Sequence, residues 1–288
     1  MSTPIAAVAE LWRYPVKSML GEQVERSEVG ASGLAGDRRL ALIDQESGKV
    51  ASAKAPRLWR SLLACSASVE QEGEHEGEGR DEAVRITLPG DKPIWSTDAS
   101  VDEVLSAYTG RSVHLADTPP ADAVLDRSVP DQVLRDGTEA EVEATLSHIG
   151  RATPEASFFD FAPLHLLATS TVDQVARLSP RGTVEPERYR PNIIIRMTAP
   201  GFAENDWAGR DLRIGPDLAI RVIALTPRCA IPTLEHGRLP RDRNALRVPA
   251  SHNLISARAG LSPQPCVGAY AQVLHPGRIK VGDPVSVA

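Results

Sequence analysis

The stretch Leu218–Thr233, LAIRVIALTPRCAIPT, carries the fold and a candidate site together. Its first half is an apolar, β-branched run that predicts a strand. Its second half is a stiff turn, with Cys229 directly after Arg228 and between Pro227 and Pro232. Free cysteine is among the most buried residue types, so Cys229 reads as a small core side chain. It also reads as chemistry. Prolines and an arginine make a poor apolar niche, and a strand end followed by a rigid turn presents its side chain. A neighbouring guanidinium favours thiolate, and thiolate suits soft or high-valent transition metals.

Outward from this stretch the chain repeats the same grammar. IAAVAELWRYPV (5–16), EQVERSEV (22–29), RRLALIDQESGKVAS (38–52), LWRSLLACSASV (58–69) and AVRITLPG (83–90) read as short strands with turns between them. RYRPNIIIRM (188–197), DLRIG (211–215), GAYAQVLHPG (268–277) and RIKVGDPVSV (278–287) continue the series. Many short strands at regular spacing predict a barrel. A helix is expected after Thr97 or Ser100, with Val101, Val104, Leu105 and Tyr108 on one face and Gly110 ending it. A second is expected in TSTVDQVARL, capped by Ser170 or Thr171. The passage Asp117–Gly137, rich in proline and aspartate, reads as an inter-domain connection. EQEGEHEGEGRDE (70–82), acidic and glycine-rich, reads as a solvated hairpin loop, with His75 the single hint of metal. The fold class is therefore β-rich α+β: a small N-terminal β-barrel-like domain over 1–120, then a larger β-barrel domain over 121–288 with a few peripheral helices.

Composition bounds the function. The 288 residues are 42% hydrophobic, enough for real cores, and 4% aromatic, so those cores are mostly aliphatic. A net charge of −6 argues against general nucleic-acid binding but allows a local basic pocket. Three cysteines, Cys65, Cys229 and Cys266, without a CxxC, suggest neither a disulfide framework nor a zinc or iron–sulfur site. With no signal-peptide pattern and no apolar run approaching about 20 residues, the expectation is a soluble cytoplasmic protein without membrane partners.

Three further segments could carry chemistry. In YPVKSM, Lys17 and Ser18 follow a proline-stiffened strand end and can bind phosphate, or lie on the surface. In GLAGDRRL, Arg38 or Arg39 can face a cleft while its neighbour faces water, or both can be solvated. In ERYRPNIII, residues Arg188, Arg190 and Asn192 share one face of an extended chain, against Ile193 and Ile195 on the other. That stripe suits an anion, or simply an exposed sheet face.

Taken in order, LWRYPVKSM, GLAGDRRLALID, PLHLLATSTVDQVARL, RYRPNIIIR with FAENDWAGRDLRIG, TPRCAIPT and GRIKVGDPV resemble the MOSC superfamily, named for the molybdenum cofactor sulfurase C-terminal domain. Its N-terminal part resembles the β-barrel domain seen in proteins similar to the amidoxime-reducing component. The resemblance spans almost the whole chain. It implies a molybdopterin-type cofactor in an inter-domain cleft, with Cys229 as the protein's sulfur ligand. It implies that Lys17, Ser18, Arg38, Arg190 and Asn192 hold pterin and phosphate, with Arg188 nearby. It also implies that Thr169, Ser170 and Thr171 offer hydroxyls and backbone N–H groups to an anion at a helix start.

The implied activity is reduction of small N-oxygenated substrates, such as hydroxylamines, amidoximes or N-oxides, with a separate electron-donor protein of ferredoxin, flavoprotein or cytochrome type. The alternatives are a sulfur carrier or cofactor-handling protein using a Cys229 persulfide, and a fold that has lost the cofactor and binds another anion. His165 and His252 are candidate proton donors, His165 also reading as a core histidine. One departure stands out: many relatives place two threonines and an acid after the cysteine. Here Ala230, Ile231 and Pro232 precede Thr233, which offsets the hydroxyl.

Overall fold

A computed structural model describes residues 6–69, 83–154 and 157–287. The acidic segment expected as a hairpin loop, with His75, lies outside them.

Seven strands close a barrel. In chain order they are β1 (Ala6–Arg13), β2 (Leu164–Ala168), β3 (Ile193–Arg196), β4 (Asp211–Ile214), β5 (Leu218–Pro227), β6 (Gln264–His275) and β7 (Pro284–Val287). Around the barrel the order is β2-β3-β1-β7-β4-β5-β6, and β6 returns to β2. Only β2–β3 is parallel, in the register Leu166↔Ile193. The interior follows the two-residue strand period. Leu164, Leu166 and Ala168 face inward with Ile193 and Ile195, Leu212 and Ile214, and Leu218, Ile220 and Val222. Each such Leu, Ile or Val side chain, fully buried, stabilises the fold by roughly 1.5–3 kcal/mol.

The seam between β2 and β6 depends on Gly268. Its φ is +82°, and a Cβ there would lie 2.2 Å from His165 Nε2 and 2.6 Å from the Leu166 carbonyl. Near its end β5 carries an extra residue at Val222/Ala224, and its pairing with β6 shifts again at Leu225/Pro227. Bulges re-aim a strand end, and this one delivers Cys229.

Strands from either side of residue 120 pair with one another. β1 pairs with β3 and β7, and the strand Arg26–Gly30 pairs with Gly277–Lys280. The N-terminal segment is thus built into the larger barrel before the chain enters a second core. That core gathers Val16, Met19, Leu40, Leu42, Leu62, Val84, Ile86, Leu105 and Val113. The helix Val101–Thr109 covers it and ends at Gly110, whose φ is +68°.

Three local expectations change. LWRSLLAC forms the helical turns Pro56–Trp59 and Arg60–Ala64 before the strand Ser66–Val69. Pro56 stands at the first helical turn, where its fixed φ suits a helix. The passage 117–137 holds the strand Val124–Ser128, hairpin partner of Ala144–His148, and the helix Pro130–Asp136. ERYRPN is not extended: Pro186–Tyr189 is a 3₁₀ turn and Arg190 is left-handed. Arg188, Arg190 and Asn192 therefore do not form one stripe.

Candidate functional site

A cavity of about 320 Å³ is lined by segments from both halves of the chain. Cys229 lines it at 7% exposure, its turn packed on Ala53, Leu63, Ile231 and Leu234. The thiol is thus both nearly buried and turned to the cavity. The Arg228 guanidinium swings to the Tyr189 carbonyl, 3.0 Å from Nη2, and lies over the Tyr189 ring at 5.3 Å. Its Nε is buried without a partner.

Lys17 is buried in the cavity wall. Nζ donates to the Phe158 carbonyl and to Asp160 Oδ1, both at 2.7 Å, while Lys54 meets the other Asp160 oxygen at 3.0 Å. Burial lowers the Lys17 pKa to about 8, although Asp160 opposes the shift. Burial also pushes the Asp160 carboxyl up, but the two lysines more than offset it and hold it well below the usual range.

Arg38 and Arg190 sandwich one ring, each guanidinium carbon 4.4 Å from the Tyr14 centroid. Arg38 pairs with Asp37 at 2.8 Å. Arg190 Nη1 donates to the Met19 carbonyl at 2.7 Å, and Nη2 is buried without a partner. Burial, and then Arg38, push the Arg190 pKa down to about 10. An arriving anion would relieve that penalty. Asn192 braces the pair: Nδ2 donates to Asp37 Oδ2 at 2.9 Å, and Oδ1 accepts the His165 N–H at 3.0 Å. Ser18 Oγ accepts the Ala53 N–H at 3.1 Å. Ser18, Arg38 and Arg190 all line the cavity with positive φ, at 67°, 51° and 56°. Such backbone costs of order 1–3 kcal/mol per residue and persists where the surroundings over-determine it.

Other expected site residues lie elsewhere. Arg188 is fully buried, held by Glu185 at 2.5 Å and by the Leu234 and Pro240 carbonyls at 3.1 and 2.8 Å. It braces the segment beyond Cys229 and does not line the cavity. Thr233 Oγ1 donates to the Ala230 carbonyl at 2.7 Å, closing its own turn.

The helix start at Thr169–Thr171 also lies outside the cavity, and an internal carboxyl group occupies it. Glu204 Oε1 accepts the Ala168 N–H at 2.6 Å, and the Thr171 hydroxyl donates to Oε2. Thr169 Oγ1 accepts the Met197 N–H at 3.1 Å, and Ser170 Oγ is buried without a partner. The helix begins at Thr169 after Ala168, so neither Ser170 nor Thr171 caps it. His252 is exposed at a helix end away from the cavity. His165 lines the cavity, Nδ1 3.2 Å from the Arg190 carbonyl, but burial and then Arg228 lower its pKa to about 3. It stays neutral near pH 7 and is not a proton donor there.

Sequence reading missed Lys54, Asp160, Tyr270 and the arginines Arg127, Arg151 and Arg258, all of which line the cavity. FFDF around Asp160 offered a weak signal, a lone acid in an aromatic run. Among the described residues the cavity wall carries eight lysines and arginines against one carboxylate, Asp160, in a chain of net charge −6. An excess of one sign in a low-dielectric cleft concentrates ions of the other. Anion affinity is expected to fall as pH rises through about 8, where Lys17 loses its proton. Calorimetric titration with sulfate, whose charge is constant over this range, should weaken by about tenfold from pH 7 to 9, and the decline should vanish in Lys17→Met.

Residues 5–118 match the MOSC N-terminal beta barrel domain, and residues 153–286 match the MOSC domain. Over 98% of its length the chain is 27% identical to mitochondrial amidoxime-reducing component 1 of Mus musculus and of Homo sapiens, covering 82% of each. It is 26% identical to mitochondrial amidoxime reducing component 2 of Rattus norvegicus, covering 83% of that protein. Among solved structures, the YuaD protein of Bacillus subtilis aligns with a TM-score of 0.45 at 12% identity, over 100% of this chain and 98% of that one. No helix among the described residues is long and apolar enough to cross a membrane.

Proposed function

The chain belongs to the MOSC family, with the N-terminal β-barrel domain joined to the MOSC domain, and on that premise we propose that it is a molybdenum-cofactor-dependent reductase of N-oxygenated compounds. The observation that carries this reading is the cationic cavity, with one nearly buried cysteine thiol in its wall. The relatives named amidoxime-reducing components supply the reaction class.

The donor set fits a pterin dithiolene with a terminal phosphate. Arg190 Nη2 and Arg228 Nε are buried donors still lacking acceptors, and Lys17, Arg38 and Lys54 add charge. In this reading Lys17, Ser18, Arg38, Arg190 and Asn192 hold the pterin and its phosphate, and Cys229 Sγ binds molybdenum as thiolate. When bound, the cofactor supplies a two-electron redox centre able to deoxygenate nitrogen.

The chain's own work is positioning and charge. Tyr14 and Asp37 fix the two arginines, Asp160 fixes the two lysines, and Arg188 fixes the segment after Cys229. Phe161 and Tyr270, ring centroids 5.4 Å apart, give the wall an apolar platform for a substrate. Conversion of R₂N–OH to R₂NH and water consumes two electrons and two protons. The word "component" in the relatives' names fits electrons arriving from a separate donor protein. The cytoplasm is the proposed compartment, although the relatives are mitochondrial.

The test is loading and turnover. Protein made in a host that synthesises the cofactor should contain near-stoichiometric molybdenum and pterin, and should reduce benzamidoxime with a chemical reductant. Absence of both metal and pterin under those conditions sinks the reading. Cyanide-labile sulfur on Cys229 in their place would point to the sulfur carrier.

A further inference from the structure

The eight cavity cations fall into two tiers. Lys17, Lys54, Arg190 and Arg228 are buried, and with the half-buried Arg38 each has a carboxylate or carbonyl partner. Arg127, Arg151 and Arg258 are half-buried or exposed, and no anion or acceptor meets their guanidinium groups among the described residues. These three come from separate segments yet line the same opening.

Their mounts are firm. Arg127 lies in the Val124–Ser128 strand, paired with Thr145 across the hairpin. The segment bearing Arg151 is pinned to the cavity wall by Gly150 N–H to the Phe159 carbonyl and Ala152 N–H to the Phe161 carbonyl, both at 2.8 Å. Gln272 adds a third tie, donating to the Ala152 carbonyl at 2.8 Å. Arg258 lies over the Phe161 ring at 5.6 Å, and Phe161 in turn packs on Tyr270.

An inner tier already suffices for a phosphate. Three guanidinium groups without an acidic partner among the described residues, one of them over the Phe161 ring, suit a second anionic group presented from outside. Guanidinium matches carboxylate or phosphate oxygens in a bidentate fork. We propose that this outer tier is a substrate subsite, and that the natural substrate is an N-oxygenated compound carrying a carboxylate or phosphate. The inference rests on the reductase reading for the N–O bond, but the subsite can be tested without turnover.

The experiment is calorimetric titration of the loaded protein with benzamidoxime and with its 4-carboxylate, on wild type and on R127Q/R151Q/R258Q. Wild type should bind the carboxylate about tenfold tighter or better, with the preference shrinking in high salt. The triple variant should lose it. Equal affinity for the two probes, or no binding of either, overturns the proposal. A nucleotide released with the pterin on acid extraction also overturns it, since its phosphate would fill the outer tier. So does a triple variant that keeps the preference and instead needs more donor protein for half-maximal rate. Preferential binding without turnover would leave the subsite standing and remove the reductase reading.

Discussion

Cys229→Ala is expected to lower reduction of benzamidoxime by more than about a hundredfold while the pterin dithiolene still retains molybdenum, because outer-shell partners of a metal alone cost 10–100-fold. The residue stands on a turn that the fold has shaped in detail. The β5–β6 pairing shifts register twice just before it, Pro227 and Pro232 flank it, and Thr233 closes the turn on Ala230. The next segment is held by Arg188 through the Leu234 and Pro240 carbonyls. Such bracing matters little for a core thiol but a great deal for a ligand that must hold one position. The variant should fold. Cys229 rests in a small cluster of Ala53, Leu63, Ile231 and Leu234, and trimming one sulfur there costs about 1 kcal/mol. The thermal midpoint of the cofactor-free protein should therefore shift by only a few degrees. Cys229→Ser separates ligand softness from shape, since its hydroxyl fits the space but is a hard, protonated donor. Wild-type turnover in both metal-loaded variants would show that Cys229 is only a core side chain.

The barrel was legible because its strands obey a local rule. LAIRVIAL and NIIIR alternate inward and outward residues at period two, and nothing distant is needed to see it. RYRPN was misread because its shape is set from afar. Pro191 favours an extended residue before it, yet Arg190 is left-handed, its guanidinium held by the Met19 carbonyl and the Tyr14 ring. LWRSLLAC reads as an apolar strand and turns helical behind Pro56. The site was half legible for the same reason. Lys17, Arg38 and Cys229 sit in short stretches with a local pattern. Lys54 and Asp160 acquire meaning only by meeting across 106 positions of chain. The hydroxyls of Thr169–Thr171 looked available to a ligand because the sequence does not say that Glu204, some 33 positions on, already faces Thr171.

Glu204 leads to the second large effect, a stability change with pH that Glu204→Gln should abolish. The side chain is 1% exposed, with one oxygen on the Ala168 N–H and the other on the Thr171 hydroxyl. Burial raises its pKa from 4.5 to about 7, while those two donors pull the other way. The sign follows from linkage. A folded-state pKa above the unfolded one means that the native protein binds the extra proton between about 4.5 and 7. The stabilisation is complete below about 4.5 and is lost as pH rises through 7, and it amounts to about 3 kcal/mol. Glutamine keeps an oxygen for the Ala168 N–H. Its amide can donate to Thr171 Oγ, whose own hydrogen then turns to the Gly201 carbonyl, 3.4 Å away. It carries no charge to bury. At pH 8, Glu204→Gln should therefore resist urea better than wild type, by about 2 kcal/mol. At pH 5 the two should unfold at similar concentrations. Glu204→Ala should be weaker at both, since it strands a buried N–H at a cost of about 1–3 kcal/mol and opens a cavity. Parallel pH profiles for wild type and Glu204→Gln would mean that the carboxylate is already paired well enough to stay charged, and that the helix start holds a permanent internal anion.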